Sequence, residues 1–188
     1  GKSTVTLMIS EAIRSHPLGN YGNPILNYKN EKCSNYIIEL SSFQLDYIKN
    51  FRPFISIITN IEKDHISHHE SFKKYLNAKK NIYRNQKKND YLILNYDNEN
   101  IKKNILDKNK IISRIIKVSN KTLLKKGISF INNVLYDNYF SNNEYIIKKN
   151  NFLKLQHNKL NFLIAYTTLK LLGVKNKSIF NRLYSFKG

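Results

Sequence analysis

Acidic side chains are scarce in this chain: 13 Asp and Glu stand against 32 Lys and Arg, a formal net charge of +19 over 188 residues. Such an excess ordinarily points to nucleic acid or an anionic surface, because lysine neutralises phosphate and releases counterions. The remaining composition argues otherwise. With 27 Lys, 28 Asn, 25 Ile and 13 Tyr, about half of the chain is four residue types with A/T-rich codons, the mark of biased base composition. The lysine pairs at 73 and 74, 79 and 80, 87 and 88, 102 and 103, 125 and 126, and 148 and 149 are scattered rather than gathered in one block. No nucleic-acid partner is expected. Cysteine is almost missing too. Cys33, the single one, has no partner for an internal disulfide and reads as a small half-buried side chain, which suits a reducing cytoplasm. No apolar run approaches bilayer length and no signal peptide stands ahead of residue 1, so no membrane partner is expected.

What is present begins at the first residue. Gly1-Lys2-Ser3-Thr4 matches the tail of a phosphate loop, in which backbone amides cradle phosphates, the lysine reaches the outer ones and a hydroxyl meets magnesium. From Val5 to Ser15 the apolar residues Val5, Leu7, Met8, Ile9, Ala12 and Ile13 recur at mostly helical spacing, with no proline until Pro17. The amino end of that helix would offer free amides and a positive dipole to an anion. Tyr36-Ile37-Ile38 suits a short buried parallel strand. Glu39 follows it, where a magnesium-binding acid belongs, at a strand's carboxyl end.

Further on, Phe54 to Asn60 is a second apolar strand with Glu62, Asp64 and His65 gathered beyond it. Ser71 caps an expected helix carrying Phe72, Tyr75, Leu76, Lys79, Ile82 and Tyr83 to near Asn85. Tyr91 to Asn95 and Ile112 to Ser119 read as strands, with a short helix opening at 97–100. This βαβ rhythm predicts an α/β fold, a mostly parallel sheet with helices on both faces. Between Gly127 and Leu155 the runs shorten, broken at Asn132-Asn133 and at 141–143, which predicts a small antiparallel element of hairpins. A long helix from about Lys159 to Leu172 stops at Gly173, and another spans about Lys177 to Tyr184. His65, His68 and His69 do not form a known zinc spacing, and His68 and His69 are expected as exposed loop residues.

Seven pieces stand in order: Gly1-Lys2-Ser3-Thr4, Gly19-Asn20-Tyr21-Gly22-Asn23-Pro24, Glu39 through Leu45, Asn60-Ile61 with Asp64-His65, Ala78-Lys79 with Ile82-Tyr83, His157-Asn158 with Asn161, and Ser185 through Gly188. Together they resemble the Mur ligases over nearly the whole chain. The string Glu39-Leu40-Ser41-Ser42-Phe43-Gln44-Leu45 is most similar to the branch that adds D-glutamate to UDP-N-acetylmuramoyl-L-alanine. The resemblance implies an ATP-dependent amide ligase of peptidoglycan synthesis working through an acyl phosphate. Residues 1–188 would be its central ATP-binding domain, cut at both ends, without the uridine-nucleotide domain before it or the amino-acid domain after it.

By resemblance, Gly1, Lys2, Ser3, Thr4, Asn158 and Asn161 would bind ATP, the two asparagines at the adenine. Asn20, Ser41, Gln44 and His65 would meet substrate, and Lys2, His65 and Lys79 would act in catalysis. One magnesium ion would rest on Ser3 or Thr4 with Glu39, and a second metal on His65 and Lys79, the lysine carrying a carbamate that turns a cation into an oxygen donor. The partners implied are small molecules, and a monomer is expected. Two alternatives stay open: another Mur ligase or a folylpolyglutamate synthase-like ligase, and a basic nucleic-acid-binding module. The sequence departs from the family at two points. No strand is apparent between the first helix and Gly19, and Ser67 and His68 stand where the family commonly has an acid and an arginine.

Overall fold

The structure, a computed structural model, describes residues 1–27, 35–62, 69–106, 111–148 and 150–186. Expectations for Cys33, for Asp64, His65, Ser67 and His68, and for Lys187-Gly188 lie outside the described residues. The chain divides into two compact units, residues 1–40 with 146–188, and residues 41–145.

In the first unit, helix α1 (Lys2–Ile13) starts directly behind Gly1, three residues earlier than the apolar spacing suggests, so the phosphate-loop tail is the helix's own first turn. It ends where Arg14 turns left-handed, φ 56°, and its N–H returns to the carbonyls of Ser10 and Glu11. The strand that looked missing is present. Strand β1 (Pro17–Gly19) pairs in parallel with β2 (Ile37–Glu39), Pro17 opposite Ile37 and Gly19 opposite Glu39. Three residues that begin with a proline and end with a glycine leave no alternation to read. Pro17 is tolerated at the strand's first position, and Leu18 supplies the buried contact, 1% exposed.

Helix α5 (Gln156–Leu171) is buried at every position from Asn161 to Leu169, so it is enclosed on all sides rather than along one stripe. It packs against α1 and against α6 (Asn176–Ser185), and α1 packs in turn against β1 and β2. Phe162, Tyr166 and Leu169 are fully buried there, each burial contributing about 1.5–3 kcal/mol. Gly173, at φ 76°, closes the end of α5 as a left-handed cap residue does.

The second unit holds a sheet in the order β3 (Ile55–Ile58), β4 (Tyr91–Asn95), β5 (Arg114–Ser119), β6 (Ile128–Ile131), β7 (Val134–Asp137), β8 (Asn143–Ile146). The first four run parallel and β6–β7 antiparallel. Parallel strands are thus divided between two sheets rather than gathered in one. Leu92, Ile93 and Leu94 of β4 are wholly buried between β3 and β5, which explains their unbroken apolar run. The hairpin between β6 and β7 turns at Asn132 and Asn133, φ 49° and 63°, the left-handed pair a two-residue turn requires.

Helix α2 (Ser42–Asp46) follows directly on Ser41. Helix α3 (Phe72–Lys80) is capped by the Ser71 hydroxyl, which accepts the Lys74 N–H at 3.2 Å, and α4 (Glu99–Asn104) by Asn98, which accepts from Ile101 at 3.0 Å. Tyr75, Leu76, Ile101 and Ile105 join Ile58, Ile61, Leu92 and Leu94 in one core. Below β4, Asp90 receives both arms of Arg52 at 2.7 and 2.9 Å and the Lys87 N–H at 2.6 Å.

Candidate functional site

The first unit brings two charge-bearing features together. Because the first intrahelical bond of α1 runs from Val5 N–H to the Gly1 carbonyl at 3.1 Å, the amides of Lys2, Ser3 and Thr4 precede it and have no partner within the helix. No acidic residue occupies that first turn, so the positive end of the dipole is uncompensated. The Lys2 side chain is exposed, while Ser3 and Thr4 are half-buried.

Glu39 stands at the carboxyl end of β2, against which α1 packs, and is 4% exposed. Its Oε1 accepts from Asn20 Nδ2 at 3.1 Å, and its Oε2 is buried with no partner among the described residues. A buried carboxylate oxygen left unpaired is costly, and a bound cation is one of the few things that satisfies it. The chemistry of the donors, a carboxylate with the hydroxyls of Ser3 and Thr4, fits magnesium, a hard ion that prefers oxygen.

The turn from Gly19 to Pro24 is what aims Asn20. Gly19 N–H donates to the Asn23 carbonyl at 2.9 Å and Asn20 N–H to the Glu39 carbonyl at 2.8 Å. Gly19 is left-handed, φ 93°, and a side chain there would collide with that same Glu39 carbonyl oxygen, so only glycine lets the turn lie against β2. On α5, Asn158 Nδ2 donates to the Phe152 carbonyl at 2.9 Å and Asn161 Nδ2 to Asn158 Oδ1 at 3.3 Å. Both asparagines are buried, at 8% and 2% exposure, unlike ordinary surface asparagine in so asparagine-rich a chain.

In the second unit, Ser41 and Gln44 form a capping box on α2. The Ser41 hydroxyl accepts the Gln44 N–H at 3.3 Å, and Gln44 Oε1 accepts the Ser41 N–H at 2.9 Å. Lys79, half-buried on the last turn of α3, holds its ammonium 5.1 Å from the centre of the Tyr75 ring. His65 lies outside the described residues.

His69 corrects the expectation of an exposed loop residue. It is buried, 4% exposed, with Nε2 2.9 Å from Ser42 Oγ and Nδ1 3.3 Å from Asp46 Oδ2. Its ring stacks on Phe43 and leans on Tyr75, with centroids 5.4 and 5.5 Å apart. The one sequence signal was its place two residues ahead of the Ser71 cap, one step from where a residue staples to the fourth residue of the helix.

The family model for the Mur ligase middle domain matches residues 1–169. UDP-N-acetylmuramoylalanine--D-glutamate ligase of Rickettsia bellii is 35% identical over the whole chain, which covers 43% of that protein, and the enzyme of the same name from Listeria monocytogenes is 36% identical, with 42% of it covered. The chain therefore spans less than half the length of these relatives. Among solved structures, UDP-N-acetylmuramate:L-alanyl-gamma-D-glutamyl-meso-diaminopimelate ligase from Neisseria meningitides superposes with TM-score 0.72 at 13% identity, covering all of this chain and 64% of that one. A MurF ligase from Thermotoga maritima in complex with ADP gives TM-score 0.65 at 13% identity, covering all of this chain and 46% of that one. These structural matches show the fold. Taken with the family model and the sequence relatives, they establish that the chain belongs to the Mur ligase family, as its middle domain.

Proposed function

We propose that this chain is the ATP-binding part of an enzyme that joins D-glutamate to UDP-N-acetylmuramoyl-L-alanine. The reading rests on the first amides of α1, which have no partner within the helix, and on Glu39 Oε2 at the end of the strand α1 packs against, buried with no partner among the described residues. Relatives more than 30% identical over the whole chain carry that enzyme's name. The uridine-nucleotide and amino-acid domains would be supplied by sequence beyond the two ends.

A carboxylate is a poor acyl donor until it is phosphorylated. In the proposed reaction the alanyl carboxylate attacks the γ-phosphorus of ATP, a new P–O bond forms, and ADP leaves with the electrons of the broken β–γ bridge. The amine of D-glutamate then attacks the acyl carbon, inorganic phosphate departs with the C–O electron pair, and the amine gives up a proton. Each step moves charge between anions, so the protein's task is neutralisation and alignment. Lys2 and the first amides of α1 would hold the β- and γ-phosphates, and Asn158 and Asn161 the adenine. Glu39 with Ser3 or Thr4 would hold magnesium, which when bound neutralises phosphate charge and fixes phosphate geometry. Ser41, Gln44 and Asn20 are assigned to the substrate side, Asn20 through its bond to Glu39.

Carbamylation of Lys79 would replace the cation over Tyr75 with an oxygen donor, and His65 keeps its metal and substrate roles by resemblance alone. ATP and magnesium are the cofactors of this reading, small molecules its partners, and the cytoplasm its setting. The test is the full-length protein offered ATP, UDP-N-acetylmuramoyl-L-alanine and a panel of amino acids. ADP release that depends on D-glutamate supports the reading; dependence on another acceptor assigns a different member of the family.

A further inference from the structure

We propose that His69 is a positioning residue, which fixes the short helix carrying Ser41 and Gln44 and ties it to the helix that bears Lys79. Helix α2 is only five residues long, too short to persist without outside support. His69 provides that support from the far side of α3's cap. Ser42 and Asp46 are four residues apart, on one face of α2, and one imidazole spans both, Nε2 at 2.9 Å from the Ser42 hydroxyl and Nδ1 at 3.3 Å from the Asp46 carboxylate. The Ser42 hydroxyl is within hydrogen-bonding distance of Nε2, and the Asp46 carboxylate stands at ion-pair distance from Nδ1. The ring is thereby held at both nitrogens.

Its faces are used as well. Phe43 stacks on it with 6° between planes, and Tyr75 leans on it at 60°, while Lys79 sits over that Tyr75 ring. The row Phe43, His69, Tyr75, Lys79 connects the segment to which substrate contacts are assigned with the helix whose Lys79 is assigned to a second metal. The backbone adds a sign of constraint. Glu70, next in the chain, is left-handed at φ 59°, uncommon outside glycine, and such strain persists where surrounding contacts over-determine it. Ser42, His69 and Asp46 are also the components of a nucleophilic triad. Ser42, however, is 6% exposed and its hydroxyl is engaged by the ring, which suits a fastening.

The inference rests on Ser41 and Gln44 facing the muramyl substrate, and the experiment separates the two claims. In the full-length ligase, His69→Phe keeps the ring contacts and removes the Ser42 hydrogen bond and the Asp46 contact. It is expected to raise KM for UDP-N-acetylmuramoyl-L-alanine about tenfold while KM for ATP moves by less than about twofold. Ser42→Ala should act in the same direction, and the double variant should be no worse than the worse single, as groups in one contact behave. Amide hydrogen exchange at Gln44 and Leu45, which needs no substrate, should quicken about tenfold in His69→Phe. If His69→Phe does not fold, Ser42→Ala and Asp46→Asn are read for the same KM split and the same exchange. Equal rises in both KM values, additive singles, or unchanged exchange would each overturn the positioning role. A wild-type enzyme that ignores the muramyl substrate would sink the functional reading, and faster exchange in His69→Phe would still uphold the fastening of α2.

Discussion

Replacing Glu39 with glutamine separates what the residue does for stability from what it does for ligand. The carboxylate is 4% exposed, and among the described residues Oε1 has one neutral donor, Asn20 Nδ2 at 3.1 Å, and Oε2 has none. Leaving a buried charged oxygen unpaired costs about 1–3 kcal/mol or more. Glutamine keeps an acceptor for Asn20 and removes the charge, so the ligand-free Glu39→Gln protein should be more stable by about 1 kcal/mol, or about 2–4 °C in melting temperature for a chain of this size. Magnesium with a non-hydrolysable ATP analogue should do the reverse. At a hundredfold excess over its dissociation constant a ligand adds about 2.7 kcal/mol to the wild type, and most of that gain should vanish in the variant with the anionic oxygen. Paired thermal melts, with and without ligand, read both numbers. A variant that melts below wild type when ligand-free, or gains as much from nucleotide, would refute the reasoning.

The other perturbations follow from single contacts. Gly19→Ala puts a methyl group against the Glu39 carbonyl at a left-handed position, and should lower the denaturant midpoint by an amount worth more than about 1 kcal/mol; an unchanged midpoint would contradict the turn described. Leu94→Ala empties a wholly buried place in β4 and should lose about 2–5 kcal/mol in the same measurement. The Arg52 guanidinium, chiefly, holds the Asp90 carboxyl below its usual range, burial opposes it, and the Lys87 N–H adds to the lowering. A folded-state value below the unfolded one means the stabilisation is present above about pH 4, the unfolded value, and is lost as pH falls through the lower folded value. Unfolding followed from pH 5 to 2 should therefore be steeper for wild type than for Asp90→Asn; parallel curves would dismiss the pair as a source of acid sensitivity.

How far the fold could be read in advance depends on what each segment's order derives from. Tyr91 to Asn95 is legible because a strand buried on both faces must be apolar throughout, and Ser71 because its cap is local. Strand β1 is not legible, since Pro17, Leu18 and Gly19 become a strand only by pairing with Ile37 to Glu39. The division of the parallel strands into two sheets is likewise a matter of long-range pairing. At the candidate site, the start of α1 and Glu39 follow from strand and helix ends. Ser41 and Gln44 carry a readable capping pattern, serine with glutamine three residues on, that their family resemblance eclipsed. His69 escaped because its place two residues ahead of the Ser71 cap is a weak local signal, and its partners Ser42 and Asp46 come from a segment more than twenty residues earlier.

The most direct measurement is calorimetric titration of magnesium and a non-hydrolysable ATP analogue into wild type and Lys2→Ala. Wild type should bind, and the variant, deprived of the cation beside the free amides of α1, should bind at least about tenfold more weakly, as loss of a charge-assisted contact implies. Equal affinity in the two proteins would mean that the start of α1 is not where the triphosphate rests.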